Sequence, residues 1–366
     1  MPELTHDEAR RAIYVDFECL KTKPPHPALL GVLIDAADDD VDQLIIDERL
    51  APARVAKRER TLVADRAEAV DAIVNLARVD DRRIVGWSLF DRARMIEIRP
   101  DLKADLETLY ANALPVARAW RQTVHPSVKI ERADDHSAKH TLDKYAVLAR
   151  YPHAHKLMNA KPADWIRHAL DQLEATGGRY SKTTKQTKRD WHRLLDYNRH
   201  DLLAVRHIAL KATHELEAWR AYEKTRFCVD DGPRRICFKA GSLNDKLEAL
   251  LARRGATRWA FITASNPHSN PLPPAENARR HADLVQAVAD LGLEGLPGEG
   301  IGEDPGWTPE KSLLILGISR GKAERLGRRF DQLAIVVGRR GEPSQLVGTD
   351  GVQGSGIRDQ GAGNRD

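Results

Sequence analysis

Long hydrophobic runs and cysteines are scarce in this 366-residue sequence. None of its apolar stretches approaches the roughly 18 residues that a membrane-spanning helix requires, so we expect no membrane partner. The three cysteines, Cys19, Cys228 and Cys237, are too few for a disulfide framework, and no CxxC pair suggests zinc. The amino terminus reaches its first apolar stretch only after acidic residues, unlike a signal peptide. These features predict a cytoplasmic protein whose cysteines are unpaired.

Neither sign of charge dominates the composition. Lys and Arg number 58 and Asp and Glu number 54, which gives a formal net charge of +4. Hydrophobic residues make up 42% and charged residues 31%, values that exclude general disorder. The mildly basic balance permits a nucleic-acid partner without requiring one. At roughly 150 residues per domain, the length allows about two domains.

The hydrophobic pattern predicts an α/β fold in the first half of the chain. Short β-branched segments alternate with amphipathic helices, which is typical of a mixed sheet flanked by helices. The predicted strands are 12–17, 28–34, 41–46 and 83–86, the predicted helix between them is 65–77, and residues 101–220 are predicted to be mainly helical.

The second half has a smaller α/β pattern. Strands are predicted at 259–263, 312–318 and 333–338, and helices at 277–291 and 322–329. The last 26 residues hold seven of the 24 glycines and few apolar residues, which predicts a disordered tail. The predicted organisation is therefore a domain over 10–215, a helical linker over 216–257, a small α/β domain over 258–340 and a tail over 341–366.

Two carboxylates stand at the end of the first predicted strand. Asp16 and Glu18 are two residues apart, so both project from one face of the strand while Phe17 faces the other way. Two close like charges repel unless a cation neutralises them, and hard divalent ions prefer carboxylate oxygens. The alternative is an ordinary pair of strand-end carboxylates.

Two further acids stand in helical contexts. Asp91 follows a short strand and enters a helix, where a first-turn or capping acid is the simpler interpretation. Tyr197 and Asp201 are four residues apart and therefore neighbours on one helix face. Their simpler interpretation is a core tyrosine beside a solvated aspartate.

Taken together, DFE at 16–18, Asp91 and Tyr-x-x-x-Asp at 197–201 resemble the three motifs of DEDD-superfamily exonucleases of the tyrosine subgroup. The resemblance covers residues 10–215 and is nearest to predicted bacterial ribonuclease H-like nucleases. It implies a ribonuclease H-like fold and 3′–5′ exonucleolytic hydrolysis with two Mg²⁺ or Mn²⁺ ions. By this resemblance Asp16 bridges both ions, Glu18 and Asp201 hold one, Asp91 holds the other, and Tyr197 orients the attacking water.

A basic stretch precedes the Tyr197 motif. Residues 179–193 carry six cationic side chains and one acid. Such a segment can follow phosphates without sequence preference. A solvated loop before a helix is the alternative. The candidate nucleic-acid-binding residues are Lys182, Lys185, Lys188, Arg189 and Arg193.

A second resemblance rests on Asn266-Pro267, Glu276-Asn277, Trp307, Glu310 and the pair Phe330 and Gln332. Through these residues, 259–338 resemble a small bacterial family known only as domain of unknown function 3293. The resemblance brings no activity with it. A polar pocket for a nucleotide or a nucleic-acid end is one interpretation of its polar residues, and caps and turns are the other. The candidate pocket residues are Asn266, Glu276, Asn277, Trp307, Glu310 and Gln332.

The sequence thus predicts a metal-dependent nuclease fused to an accessory domain. A non-catalytic ribonuclease H-like module that binds nucleic acid or a partner is one alternative. A hydrolase of small nucleotides that uses the carboxy-terminal pocket is another. The nuclease and the binding module differ in whether Asp16, Glu18, Asp91 and Asp201 converge.

Overall fold

The chain forms two units in the computed structural model. Among the described residues, the first comprises those up to 119 together with 129–213, and the second comprises 120–128 together with 214–349. Among the helices described, none is long and apolar enough to cross a membrane. The structure describes residues 4–34, 39–54, 60–130, 140–304 and 306–349.

The first unit contains a six-stranded mixed sheet with helices on both faces. In chain order its elements are α1 (His6–Arg11), β1 (Ile13–Leu20), β2 (His26–Leu33), β3 (Asp42–Ile45), β4 (Thr61–Val63), α2 (Arg66–Val79), β5 (Ile84–Gly86), α3 (Leu89–Ile98), α4 (Lys103–Leu109), β6 (Tyr110–Asn112), α5 (Ala113–Val124), α6 (Leu142–Leu148), α7 (Pro162–Ala175) and α8 (Lys185–Lys224). The order across the sheet is β4-β3-β2-β1-β5-β6. Strand β1 is antiparallel to β2 and parallel to β5, so the mixed sheet is as predicted.

Strand β1 has two differently packed faces, which decide where its carboxylates point. Ile13, Val15 and Phe17 belong to the apolar core formed with α2, α3 and α4. The alternate residue Leu20 packs into the other core, formed with α7 and α8. Because side chains alternate along a strand, Asp16 and Glu18 lie on the α7 and α8 side.

The second unit contains a seven-stranded sheet in which every neighbouring pair is antiparallel. In chain order its elements are β7 (Arg226–Asp231), β8 (Arg234–Lys239), α9 (Asp245–Arg253), β9 (Arg258–Thr263), α10 (Pro274–Asp290), β10 (Gly295–Ile301), β11 (Glu310–Leu316), α11 (Arg320–Arg329), β12 (Ala334–Arg339) and β13 (Gln345–Gly348). The order across the sheet is β13-β12-β9-β11-β10-β7-β8. Helices α10 and α11 pack on one face and α9 on the other.

The predicted domain boundaries differ from the structure in two places. The helical linker over 216–257 is wrong in its middle, because β7 and β8 form a hairpin within the second sheet. The tail over 341–366 is wrong at its start, because β13 pairs with β12. Residues 350–366 lie outside the described part of the chain.

The prediction of unpaired cysteines is also wrong for two of the three. Cys228 on β7 and Cys237 on β8 form a disulfide, with 4.1 Å between their Cα atoms, and Cys19 is free. The hairpin register places the two residues directly opposite each other. In the sequence the two cysteines are nine residues apart and look like unrelated positions in a linker. They form a cross-strand pair because the chain reverses at Gly232, between β7 and β8.

Candidate metal centre

The carboxylates of β1 lie inside the strand rather than at its end. Strand β1 continues to Leu20, and both Asp16 and Glu18 pair with residues of β2. This backbone pairing fixes the direction of their side chains. Glu18 is only 5% exposed. A buried pair of carboxylates is costly unless protons or cations neutralise it.

Helix α8 brings a third carboxylate to this pair. Oxygen atoms of Asp16, Glu18 and Asp201 all lie within 4.8 Å of one another, and this cluster can hold a metal ion. It is the sole such group of three or more possible ligands in the described ranges of the chain. Asp201 is 9% exposed, so the interpretation of a solvated charge is wrong for it.

Asp91 lies beside the cluster but outside that set of three. It is 4% exposed in the first turn of α3, and its Oδ1 accepts a hydrogen bond from the backbone nitrogen of Phe17 at 3.1 Å. Ser88, not Asp91, caps the helix. A Cβ atom on Gly86 would collide with the Tyr110 hydroxyl and the Asp91 carboxylate, so the absence of a side chain at Gly86 makes room for both.

Burial raises the pKa values of all four acids, and the charge of Asp16 raises those of the other three further. Burial is the main cause throughout. It raises the pKa of Asp16 to about 6, where hydrogen bonds with Asn198 and Glu18 act in the opposite direction. Burial and then the charge of Asp16 raise the pKa of Asp91 to about 8 and the pKa values of Glu18 and Asp201 well above their ordinary range. Without a cation, the cluster therefore binds protons more readily than free carboxyl groups do.

The donor set fits a hard divalent cation. Oε1 of Glu18 is buried and has no hydrogen-bond partner among the described residues. A buried unpaired carboxylate oxygen costs free energy, and a cation bound among the three carboxylates would remove that cost. The oxygen-only ligands match the preference of Mg²⁺ and Mn²⁺, although the identity of the metal is not fixed by the cluster.

Sequence reasoning missed the residues that orient Asp16. Asn198 on α8 is fully buried and donates from Nδ2 to Oδ2 of Asp16 at 2.8 Å. Gln43 on β3 donates from Nε2 to Oδ1 of Asn198 at 3.2 Å. Gly31 lies opposite Asp16 on β2, and a Cβ there would collide with Asn198. The sequence contains one signal for Asn198, because this residue lies between Tyr197 and Asp201 in the Tyr-x-x-x-Asp motif.

Tyr197 lies against Asp201, as its spacing predicts. A hydrogen bond links its hydroxyl to the Asp201 carboxylate, and its ring meets the Trp165 ring edge-on with 6.3 Å between centroids. Burial and the charges of Asp201, Glu18 and Asp16 raise the pKa of Tyr197 far above its usual range. The phenol therefore stays protonated and can donate a hydrogen bond, but it cannot act as a base.

The basic stretch lies on and just before the start of α8. Lys182, Lys185, Arg189 and Arg193 are exposed. Lys188 donates to the carbonyl oxygen of Ser181 at 2.8 Å, and Arg193 pairs with the buried Asp190 at 3.3 Å. Two of the five candidate residues therefore have structural partners.

The candidate residues of the second unit differ in their contacts. Asn266 and Asn277 bond to each other, with 2.8 Å from Nδ2 of Asn277 to Oδ1 of Asn266. Gln332 donates to the Ser265 carbonyl oxygen at 2.9 Å. Trp307 and Glu310 line two cavities, one together with Asn266 and Asn277 and the other together with Gln332. Glu276 pairs with Arg279 and lines neither of these two. Five of the six candidate residues thus line a cavity, and a ligand-binding role for them stays a prediction.

Comparison with known proteins informs the second unit alone. No curated protein matches the chain, and no solved structure matches it. The resemblance of residues 10–215 to DEDD exonucleases has no family match to support it and stays a prediction. A family model described as "Protein of unknown function (DUF3293)" matches residues 262–335, which confirms the resemblance noted for this region.

Proposed function

We propose that the first unit is a metal-dependent nuclease that hydrolyses phosphodiester bonds of nucleic acid from the 3′ end. The observation that carries the proposal is the convergence of Asp16, Glu18 and Asp201 around an unpaired buried oxygen of Glu18. The mixed sheet, with two of these acids on a central strand, is compatible with the ribonuclease H-like fold that the resemblance implies.

Each residue of the proposed site has a role that its position supports. Asp16, Glu18 and Asp201 would hold one ion, and Asp91 would help to hold a second, with Asp16 shared between them. When bound, Mg²⁺ or Mn²⁺ would neutralise developing negative charge and favour ionisation of the attacking water. The protonated Tyr197 hydroxyl would orient that water, and Asn198 would fix the direction of Asp16.

Helix α8 offers a route for the substrate. One ridge of side chains at intervals of four residues contains Lys185, Arg189, Arg193, Tyr197 and Asp201, and it winds by about 160° around α8 between its two ends. Exposure falls along this ridge, from the exposed Lys185 to the buried Asp201. At about 1.5 Å per residue, Lys185 lies about 24 Å from Asp201 along the helix axis. A strand of several nucleotides would span that distance.

Metal binding is the first test of this function. We expect Mn²⁺ and Mg²⁺ to bind the intact protein and raise its melting temperature, because the ions stabilise the folded state by mass action. At a concentration about a hundredfold above Kd, the expected gain is about 2.7 kcal/mol. Calorimetry and thermal denaturation in chelator and in added metal measure both effects, and Ca²⁺ serves as a comparison ion.

Hydrolysis is then assayed on DNA and RNA oligonucleotides labelled at either end. A ladder shortened from the 3′ end supports the proposal. Metal binding with tight nucleic-acid binding but no hydrolysis would favour the non-catalytic module instead. Absence of divalent binding would remove the basis of both the site and the reaction.

The cations at and just before the start of α8 lead to a separate prediction about how nucleic-acid binding depends on salt. Replacing Lys182, Lys185 and Arg189 with Gln should weaken binding to all single-stranded sequences alike. It should reduce the slope of log K against log salt by about 2, because three fewer counterions are released at about 0.7 each. Titrations of a labelled oligonucleotide at several salt concentrations measure the slope.

The matched control is a triple substitution of exposed cations elsewhere in the first unit, Arg10, Lys103 and Arg118 to Gln. The control removes the same net charge. Equal changes in slope for the two triple variants would show that general charge, not the ridge, attracts the nucleic acid.

A further inference from the structure

The second unit contains a cavity of about 550 Å³, formed by the end of α8 and the strands β7, β9, β11 and β12. The proposed nuclease reaction does not use it. This volume lies within the range of small-molecule sites, about 300–1,000 Å³. Four aromatic side chains contribute to its wall, and its charged lining residues are Glu217, Arg220, Lys224, Glu303, Asp304 and Glu310. Residues that line it include Tyr222, Phe227, Phe261, Trp307, Glu310 and Gln332.

Glu310 differs from the other acidic residues of this cavity because it also lines a second one. Its Oε1 accepts a hydrogen bond from Nδ2 of Asn266 at 2.7 Å. Asn266 is itself held by Asn277, and it adopts a left-handed backbone conformation with φ of 47°. Glu310 and Trp307 also line an adjoining cavity of about 370 Å³. Glu310 therefore lines two neighbouring cavities.

The carboxylate of Glu310 retains capacity for a ligand. A carboxylate offers about four acceptor sites, and Asn266 and Trp307 are the side chains that bond to it. Within the described ranges, no Lys or Arg forms an ion pair with it. Arg220 and Lys224 also line the cavity, and Lys224 pairs with Glu303 at 3.8 Å. A carboxylate that shares a partly aromatic cavity but has no cation paired to it calls for a ligand that supplies N–H donors.

We propose that this cavity binds a guanine base, with the Watson–Crick edge of the base directed at Glu310. Guanine presents two adjacent donors, N1–H and the exocyclic amino group, and a carboxylate can accept both. Its flat ring suits a cavity walled by Phe227, Phe261 and Trp307, since bases stack on aromatic side chains. This inference is independent of the nuclease proposed for the first unit.

Protonation of Glu310 gives the proposal a pH dependence. Burial raises the pKa of Glu310 to about 7, while hydrogen bonds from Asn266 and Trp307 act to lower it. The charge of Glu310 also contributes to the raised pKa of Tyr222, another residue of the cavity wall. Two N–H donors favour the ionised carboxylate, so guanine should bind more tightly as pH rises through about 7.

The experiment is calorimetric titration of the intact protein with guanosine, inosine, adenosine and cytidine in chelator. Nucleosides without phosphate in metal-free buffer avoid the carboxylate cluster of the first unit. Guanosine should bind, and inosine, which lacks the exocyclic amino group, should bind at least about tenfold more weakly, a loss of about 1.4 kcal/mol. This comparison needs no variant and therefore cannot be confounded by misfolding.

Glu310→Gln should lower guanosine affinity by at least about tenfold, because an amide offers one acceptor atom and repels an N–H donor. The matched control is Glu276→Gln, whose carboxylate pairs with Arg279 outside the cavity and should leave affinity unchanged. Failure of guanosine to bind, or equal binding of all four nucleosides, would overturn the proposal. Unchanged guanosine affinity in a folded Glu310→Gln variant would do so as well.

Discussion

Asp16→Asn is expected to reduce nuclease turnover at least about a thousandfold, the equivalent of about 4 kcal/mol of lost transition-state stabilisation. Asp16 contributes to the metal-binding cluster and would be shared between the two proposed ions. Asparagine keeps the size of the side chain and an acceptor for Asn198, so the fold should be retained. Single-turnover rates in saturating Mn²⁺ measure the loss.

The same substitution should stabilise the metal-free protein, with a defined dependence on pH. The pKa of Asp16 is raised from its ordinary value to about 6 in the folded state. A raised carboxyl pKa costs no stability below the unfolded value, and the cost grows as pH rises from about 4 to about 6. The variant should therefore melt at a higher temperature than the native protein at neutral pH and at nearly the same temperature near pH 4.

Asp42→Asn is the matched control for this substitution, because Asp42 lies on β3 of the same sheet but pairs with Arg60 instead of joining the cluster. It should retain turnover and the metal-induced rise in melting temperature. Full activity in Asp16→Asn would disprove the assignment of the site, whatever the result for stability.

Tyr197→Phe is expected to lower turnover by roughly one to three decades, the range of positioned proton-handling groups. The substitution deletes the hydroxyl that bonds to Asp201 but keeps the ring that contacts Trp165. Metal affinity should change little, because the three clustered carboxylates remain. Turnover, metal affinity and melting temperature are measured on the same preparation.

Tyr180→Phe provides the comparison for Tyr197. The Tyr180 hydroxyl is buried and has no hydrogen-bond partner among the described residues, so its removal should affect neither rate nor metal binding. If Tyr197→Phe were as active as Tyr180→Phe, Tyr197 would be a core residue. The metal assignment would then stand without a catalytic tyrosine.

The sequence predicts the central part of the metal centre because that part depends on local geometry. Alternation along β1 places Asp16 and Glu18 on one face, and helical periodicity places Tyr197 beside Asp201. The sequence does not predict that Asn198 reaches Asp16. That contact requires α8 to pack against β1, and it requires a glycine at position 31, where a side chain would collide with Asn198. Contacts of this kind depend on two distant segments at once.

The missed strands have a different physical cause. Strand β10 has the sequence GLPGEGI, and glycine and proline are both depleted in strands. It forms because β11 and β7 pair with it on its two sides. Strands β7 and β8 are rich in charge and follow a 40-residue helix, so their pattern resembles a continuation of polar helix. The disulfide follows from the hairpin and was missed with it.

Helices α5 and α8 each contribute to both units, and this sharing limits what gene truncation can reveal. Residues 120–128 belong to the second unit, and Trp120, which is fully buried, donates from Nε1 to Oε2 of Glu215 at 2.6 Å. A polypeptide ending at residue 213 would lack Glu215 and leave that indole without its acceptor. A fragment starting at residue 214 would instead lack Trp120. Insolubility of either fragment would therefore not by itself show that this half is unable to fold or function, because the cut also severs the tryptophan–glutamate contact.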